Sequence, residues 1–185
     1  MTRNVLLHLV DSQVLFKGYS TRALNAHYGL DTALMSALEA PFVPNSPASS
    51  DPLAAVRDVL TSSLGLAPAL VADADCSAAA RVSEVVGTRG CRLAACAIAA
   101  TVRQTEKTTQ GQEKELVFGL DGSLVEFYPR FEQRVRDALV EILGEEDAKR
   151  VKIALAKDGS GVGAALCAQA AAAMESKGAT TVRKD

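Results

Sequence analysis

Tryptophan is absent from this 185-residue chain, and aromatic residues of all kinds make up only 4% of it. That argues against an aromatic-rich β-sandwich, and the heavy use of alanine favours closely packed helices instead. Only two histidines occur, and the four cysteines (Cys76, Cys91, Cys96, Cys167) form no CxxC pair. Zinc-ligand spacing is therefore missing, and so is the cysteine density of a disulfide framework. Cys91, Cys96 and Cys167 lie among Ala and Leu, where cysteine behaves as a small hydrophobe. Excess charge of one sign is missing too. The formal net charge is −2, with acids and bases interspersed, so the one-sided basic footprint of a nucleic-acid binder is not present. No uncharged apolar run reaches the roughly 20 residues of a membrane span, and no signal-peptide pattern opens the chain. These features lead us to expect a protein of the cytoplasm, with a small molecule or another protein as its partner.

What is present is a helical first half and a change of character after it. Apolar residues at helical spacing predict a helix over residues 4–16. It begins almost at the chain start, as either a truncated upstream region or a short native terminus would give. A short helix should follow through Asn25, then one over Thr32–Glu39 capped by Asp31. Residues 41–52, rich in Pro and Ser, read as a surface loop. Asp51-Pro52 opens the next helix and Gly65 stops it. Residues 77–103 carry the longest helical pattern, with Val82, Val85, Val86, Leu93, Ala97 and Ile98 as its apolar positions. Gly87 and Gly90 inside it suggest close approach of another element. Gln104–Glu115 reads as a polar loop.

Two strand–turn–helix units follow, which is the pattern of an α/β sheet. Glu115–Leu120 is a strand, Asp121-Gly122-Ser123 a turn, and Leu124–Phe127 a brief extension. Pro129 then opens a helix with the inner stripe Phe131, Val135, Leu139 and Ile142, ended by Gly144. Val151–Ala156 is the second strand and Asp158–Gly163 a glycine turn, followed by the alanine-rich helix Ala164–Met174 and a frayed tail from residue 175. Open α/β sheets bind ligands at the carboxyl ends of their strands. A glycine there lets backbone come close, and the start of a helix offers free N–H groups to a phosphate. No Gly-Lys-Ser/Thr follows either turn, so neither is a Walker A loop.

The run Leu155-Ala156-Lys157-Asp158-Gly159-Ser160-Gly161-Val162-Gly163-Ala164-Ala165-Leu166-Cys167 resembles the carboxy-terminal signature of eukaryotic hexokinases, fungal ones especially. Gly119–Leu124 with Tyr128-Pro129-Arg130-Phe131 resembles the family's other carboxy-terminal turn. His27–Ser36 resembles its nucleotide-contacting segment, and Gly87-Thr88-Arg89 with Arg92-Leu93 resembles its scaffold helix. The matches run in order from about residue 4 to residue 170. The resemblance implies an actin-like ATPase (ribonuclease H-like) fold, with residues 1–185 forming the carboxy-terminal portion of the large lobe. It also implies transfer of the γ-phosphoryl group of ATP to the 6-hydroxyl of a hexose such as glucose, with Mg2+ held mainly through the nucleotide.

Carried over by position, Thr32, Ala33, Leu34, Met35 and Ser36 would border the nucleotide. Asp121, Gly122 and Ser123 would lie at its phosphate or ribose side, with Leu124, Val125, Glu126 and Phe127 just beyond. Ser160 and Gly161 would face the same pocket. The family's Asp-Leu-Gly-Gly-Thr turn, its general base and its sugar-binding Asn and Glu residues have no counterpart here. The resemblance therefore assigns no catalytic residue, and hexose would bind only if the upstream lobe is supplied. The other functional reading is a non-catalytic, nucleotide-binding or regulatory relative. A lobe lacking its partner should also expose former interior surface, including the apolar face of residues 5–16.

Overall fold

The computed structural model describes residues 1–44, 46, 50–106 and 115–181. Residues 45 and 47–49 of the loop expected at 41–52, residues 107–114 of that expected at 104–115, and residues 182–185 of the tail lie outside the described residues.

The first half packs helices around one apolar cluster. Helix α1 (Thr2–Asp11) is followed by a 3-10 turn at Phe16–Gly18, α2 (Arg22–Asn25), α3 (Thr32–Glu39), a 3-10 turn at Ala40–Phe42, α4 (Pro52–Leu64) and a 3-10 turn at Pro68–Leu70. The caps read from the sequence are formed. Asp31 Oδ1 accepts from the Ala33 N–H at 3.0 Å, and Asp51 Oδ1 accepts from Leu53 and Ala54 at 3.0 and 3.1 Å. Gly65 ends α4 at φ 68°. Helix α1 stops at Asp11 rather than running to residue 16, because Gln13, Phe16 and Lys17 all adopt positive φ. Burial offsets the strain of that turn. Phe16 is wholly buried, and its N–H donates to Asp75 Oδ1 at 3.1 Å, while Asp75 Oδ2 accepts from Ala72 at 2.9 Å. Much of the apolar face expected to be left open is therefore covered, with Leu6, Val10, Leu15 and Phe16 inside the chain's own core, while Val5 and Val14 stay exposed.

Helix α5 (Asp73–Glu106), 34 residues and about 50 Å long, is the spine of the molecule. Its first turns close the first core and its second half lies in another. It is long and apolar enough to cross a membrane by length and composition; in this fold its buried stripe faces the two cores. That stripe is made of small residues: Cys76, Ala79, Ser83, Cys91, Ala95, Ala99, with Ile98 and Val102. Val85, Leu93 and Ala97, expected on the buried face, point outward instead. The helix is thus oriented by the residues that allow close approach, not by its largest apolar ones. Of the cysteines, Cys76 and Cys91 are buried, and burial pushes both thiols up, whereas Cys96 and Cys167 are exposed.

The second core joins α5 to β1 (Leu116–Leu120), α7 (Phe131–Leu143), α8 (Glu145–Arg150) and β2 (Val151–Leu155). Between β1 and α7 lies α6 (Ser123–Phe127), a short helix where an extended segment was expected. The last helix, α9 (Gly159–Thr181), starts five residues before the predicted Ala164 and continues past Met174. Its turn is made by Asp158 at φ 54°, which leaves Gly159, Gly161 and Gly163 inside the first helical turns. The strands pair in parallel, Leu116 opposite Val151 through Leu120 opposite Leu155. Leu116, Phe118, Leu120 and Ile153 turn toward the second core. Val117 on the other face is 68% exposed, and Val162, Leu166 and Met174 along α9 are exposed as well.

Candidate functional site

Because the two strands are parallel and in register, both carboxyl ends finish at the same edge. There Ala156 N–H donates to the Leu120 carbonyl at 2.9 Å, drawing the two following turns together. They enclose an open concavity of about 300 Å3 lined by Asp121, Gly122, Ser123, Glu126 and Phe127 from the first turn and Leu155, Ala156, Lys157 and Asp158 from the second. Gly122 sits at φ 125°, a conformation that an L side chain seldom adopts. Asp121 Oδ2 accepts from the Ser160 N–H at 3.4 Å, so its carboxylate faces the first turn of α9. A helix start favours negative charge. Here that charge comes from the protein itself.

Of the residues proposed from sequence, the structure brings Asp121, Gly122, Ser123, Glu126 and Phe127 into this concavity and sets Ser160 and Gly161 beside it, on the first turn of α9. Leu124 and Val125 belong to α6 but are not among its lining residues. Lys157 was not singled out by sequence reasoning, yet among the described residues it is the one cation lining the same hollow. Its position just after the predicted strand Val151–Ala156 was the available signal.

Thr32, Ala33, Leu34, Met35 and Ser36 form the first turns of α3. Thr32 and Met35 line a second concavity of about 250 Å3 together with Met1, Thr2, Arg3, Asn4, His27, Tyr28 and Leu30. Thr32 and Ala33 are exposed, Met35 and Ser36 half-buried. Leu34 points into the first core, so only its backbone can face a ligand. The two concavities share no lining residue.

A buried polar network links the two segments. Tyr128, immediately after α6, places its hydroxyl 2.9 Å from Oε2 of Glu39, at the end of α3, and 3.1 Å from the Ser83 carbonyl. Arg134 donates to Oε1 of the same Glu39. Glu39 and Arg134 are 5% and 7% exposed. Burial, with the Glu39 charge beside it, pushes the Tyr128 phenol well above its usual range. Burial opposes the charge on Arg134, but the Glu39 hydrogen bond and charge outweigh it and push its pKa up. The tyrosine ring lies directly on the α5 backbone: a Cβ on Gly87 would come within 2.1 Å of its hydroxyl oxygen. Gly87 therefore provides the close approach expected of it, whereas Gly90 faces open space. Nearby, the hydrogen bond from Arg81 holds the Glu84 carboxyl below its usual range against a smaller burial effect.

These features define a class: an α/β fold in which the carboxyl ends of a parallel strand pair open on one hollow. Comparison with known proteins narrows it. The family described as Hexokinase matches residues 1–170. Hexokinase-1 of Schizosaccharomyces pombe is 34% identical over 177 residues, covering 95% of this chain and 32% of the relative. A glucokinase of Aspergillus niger is 39% identical over 158 residues, covering 84% and 30%. Among solved structures, a hexokinase aligns with a TM-score of 0.70 at 22% identity, and the hexokinase of Schistosoma mansoni complexed with glucose with 0.67 at 23%. Both alignments cover 86% of this chain and 32% of the other. The chain belongs to the hexokinase family and has part of its actin-like ATPase fold. It spans about a third of the length of the relatives it matches.

Proposed function

We propose that this chain supplies the nucleotide side of a hexokinase-type active site, which transfers the γ-phosphoryl group of ATP to the 6-hydroxyl of a hexose such as glucose. The observation that carries the reading is the hollow formed by the Asp121-Gly122-Ser123 and Lys157-Asp158 turns at the ends of two parallel strands. Phosphoryl transfer depends chiefly on positioning and on charge stabilisation. Lys157 contributes positive charge at this edge. Asp121 is engaged with the Ser160 amide and serves to hold the turn, and we assign it no proton-transfer role. Because its carboxylate already faces the α9 start, we orient the sugar end of the nucleotide, not its phosphates, toward Ser160 and Gly161. The segment Thr32–Ser36 borders the nucleotide from the α3 side.

Mg2+ would enter with the nucleotide. We propose that the ion is carried mainly by the phosphate oxygens of the nucleotide. We place the reaction in the cytoplasm. We further propose that the chain is inactive alone, since the sequence carries neither the Asp-Leu-Gly-Gly-Thr turn nor a counterpart of the family's general base. The exposed outer face of the sheet at Val117 and the uncovered apolar residues of α9 support this, because parallel sheets are ordinarily covered on both faces.

The test is glucose-dependent ATP turnover by the purified chain, alone and mixed with the upstream two-thirds of the Schizosaccharomyces pombe relative. Turnover should appear only in the mixture. Turnover by the chain alone would overturn the division of labour. Failure of Mg-ATP to bind the chain or the mixture would overturn the nucleotide assignment.

A further inference from the structure

We propose that a cavity between α5, the 3-10 turn after α3 and the start of α7 is a binding site for a small monocarboxylate with an apolar body. This site is distinct from the two concavities described above and does not depend on the nucleotide reading. It holds about 230 Å3, below the roughly 300–1,000 Å3 of sites for drug-sized molecules, so its occupant is of metabolite size. One wall is a single face of α5, where Ser77, Ala80, Arg81 and Glu84 recur at helical spacing. Phe42 and Val43 supply apolar lining, and Phe42 is 45% exposed. Arg130 and the buried Glu39 complete the lining.

The charges select the ligand. Arg134 pairs with the buried Glu39 and also lies 3.9 Å from Glu84. Glu84 meets two further guanidinium groups, Arg81 and Arg130, the latter at 3.5 Å, so three arginines face two carboxylates. The rim therefore carries one positive charge in excess. Arg81 and Arg130 each meet Glu84 through a single nitrogen, and the other N–H groups of both forks have no protein partner among the described residues. A planar guanidinium fork matches a carboxylate with two parallel hydrogen bonds. A dianion such as phosphate would meet Glu84 with only one charge to offset two. Acetate would leave the Phe42–Val43 wall wet. An acid with an apolar body satisfies both walls.

The test follows the amide proton–nitrogen correlation spectrum of the full chain during titration with hydrocinnamate, with neutral hydrocinnamamide, with acetate and with inorganic phosphate. Hydrocinnamate should shift the amides of Ser77, Ala80 and Arg81. The other three probes should bind at least tenfold more weakly, about 1.4 kcal/mol. The double variant Arg81→Ala/Arg130→Ala should lose the shifts while its remaining spectrum stays that of the folded chain. The variant Arg81→Lys/Arg130→Lys should retain binding but weaken it, because lysine keeps the charge without the fork. No shift with hydrocinnamate, equal binding of the amide or of phosphate, or undiminished binding by the alanine variant would each overturn the proposal.

Discussion

Replacing Arg134 by Met is the sharpest probe of how the two candidate nucleotide segments are joined. Glu39 and Arg134 form an ion pair with both side chains 7% exposed. Removing the arginine leaves a buried carboxylate whose remaining donor is the Tyr128 hydroxyl at 2.9 Å. Breaking one side of a buried pair costs about 3–5 kcal/mol, because the surviving charge is uncompensated. For a domain of this size that corresponds to a fall in Tm of about 6–20 °C, out of a total stability of about 5–15 kcal/mol. The double variant Glu39→Gln/Arg134→Met removes both charges and should recover at least half of the loss. Urea unfolding followed by circular dichroism, which suits a largely helical chain, measures all the terms of the cycle. The reasoning fails if Arg134→Met costs less than about 1 kcal/mol, or if the double variant costs the sum of the two single ones.

Gly87→Ala should destabilise by about 1–3 kcal/mol, since its Cβ would collide with Tyr128, while Gly90→Ala, in open space, should gain up to about 1 kcal/mol; equal effects in urea unfolding would refute the packing argument. Tyr128 has a raised pKa in the fold, so the unfolded phenol ionises first and stability should fall as pH rises above about 10; Tyr128→Phe should flatten that limb of the stability–pH curve. Glu84 has a lowered pKa, so its contribution is present at neutral pH and lost in acid below the ordinary carboxylate range; Glu84→Gln should reduce the acid loss. Gly122→Val should weaken Mg-ATP binding, because φ 125° is a conformation that valine rarely adopts, whereas Gly161→Ala should change it less: its Cβ would meet the carboxylate group of Asp158, a side chain that can rotate aside. Calorimetric titration distinguishes the two.

How much of this was legible in the sequence varied with the physics involved. Local chemistry read well. Asp31, Asp51-Pro52 and Gly65 bound their helices where expected, because caps are set by neighbouring residues. The stripe Phe131, Val135, Leu139 and Ile142 packs into the second core as its spacing implied. Long-range effects did not read. The end of α1 depends on Asp75, far along the chain, receiving the Phe16 amide. The orientation of α5 depends on small residues, which periodicity of large apolar ones does not reveal. The second glycine turn became the start of α9 because Asp158, not a glycine, takes the positive φ. At the candidate site, both turns were visible as strand–turn–helix units, but their convergence needed the parallel register, and Lys157 gained meaning only from it. The Glu39–Tyr128–Arg134 network, joining residues up to 95 positions apart, had no local signature.

The most direct test of the central claim is an Mg-ATP titration of the full chain, read residue by residue from its amide correlation spectrum. The account predicts shifts concentrated at Asp121–Phe127, Lys157, Ser160, Gly161 and Thr32–Ser36. Shifts confined to other parts of the chain, with these segments unmoved, would contradict it.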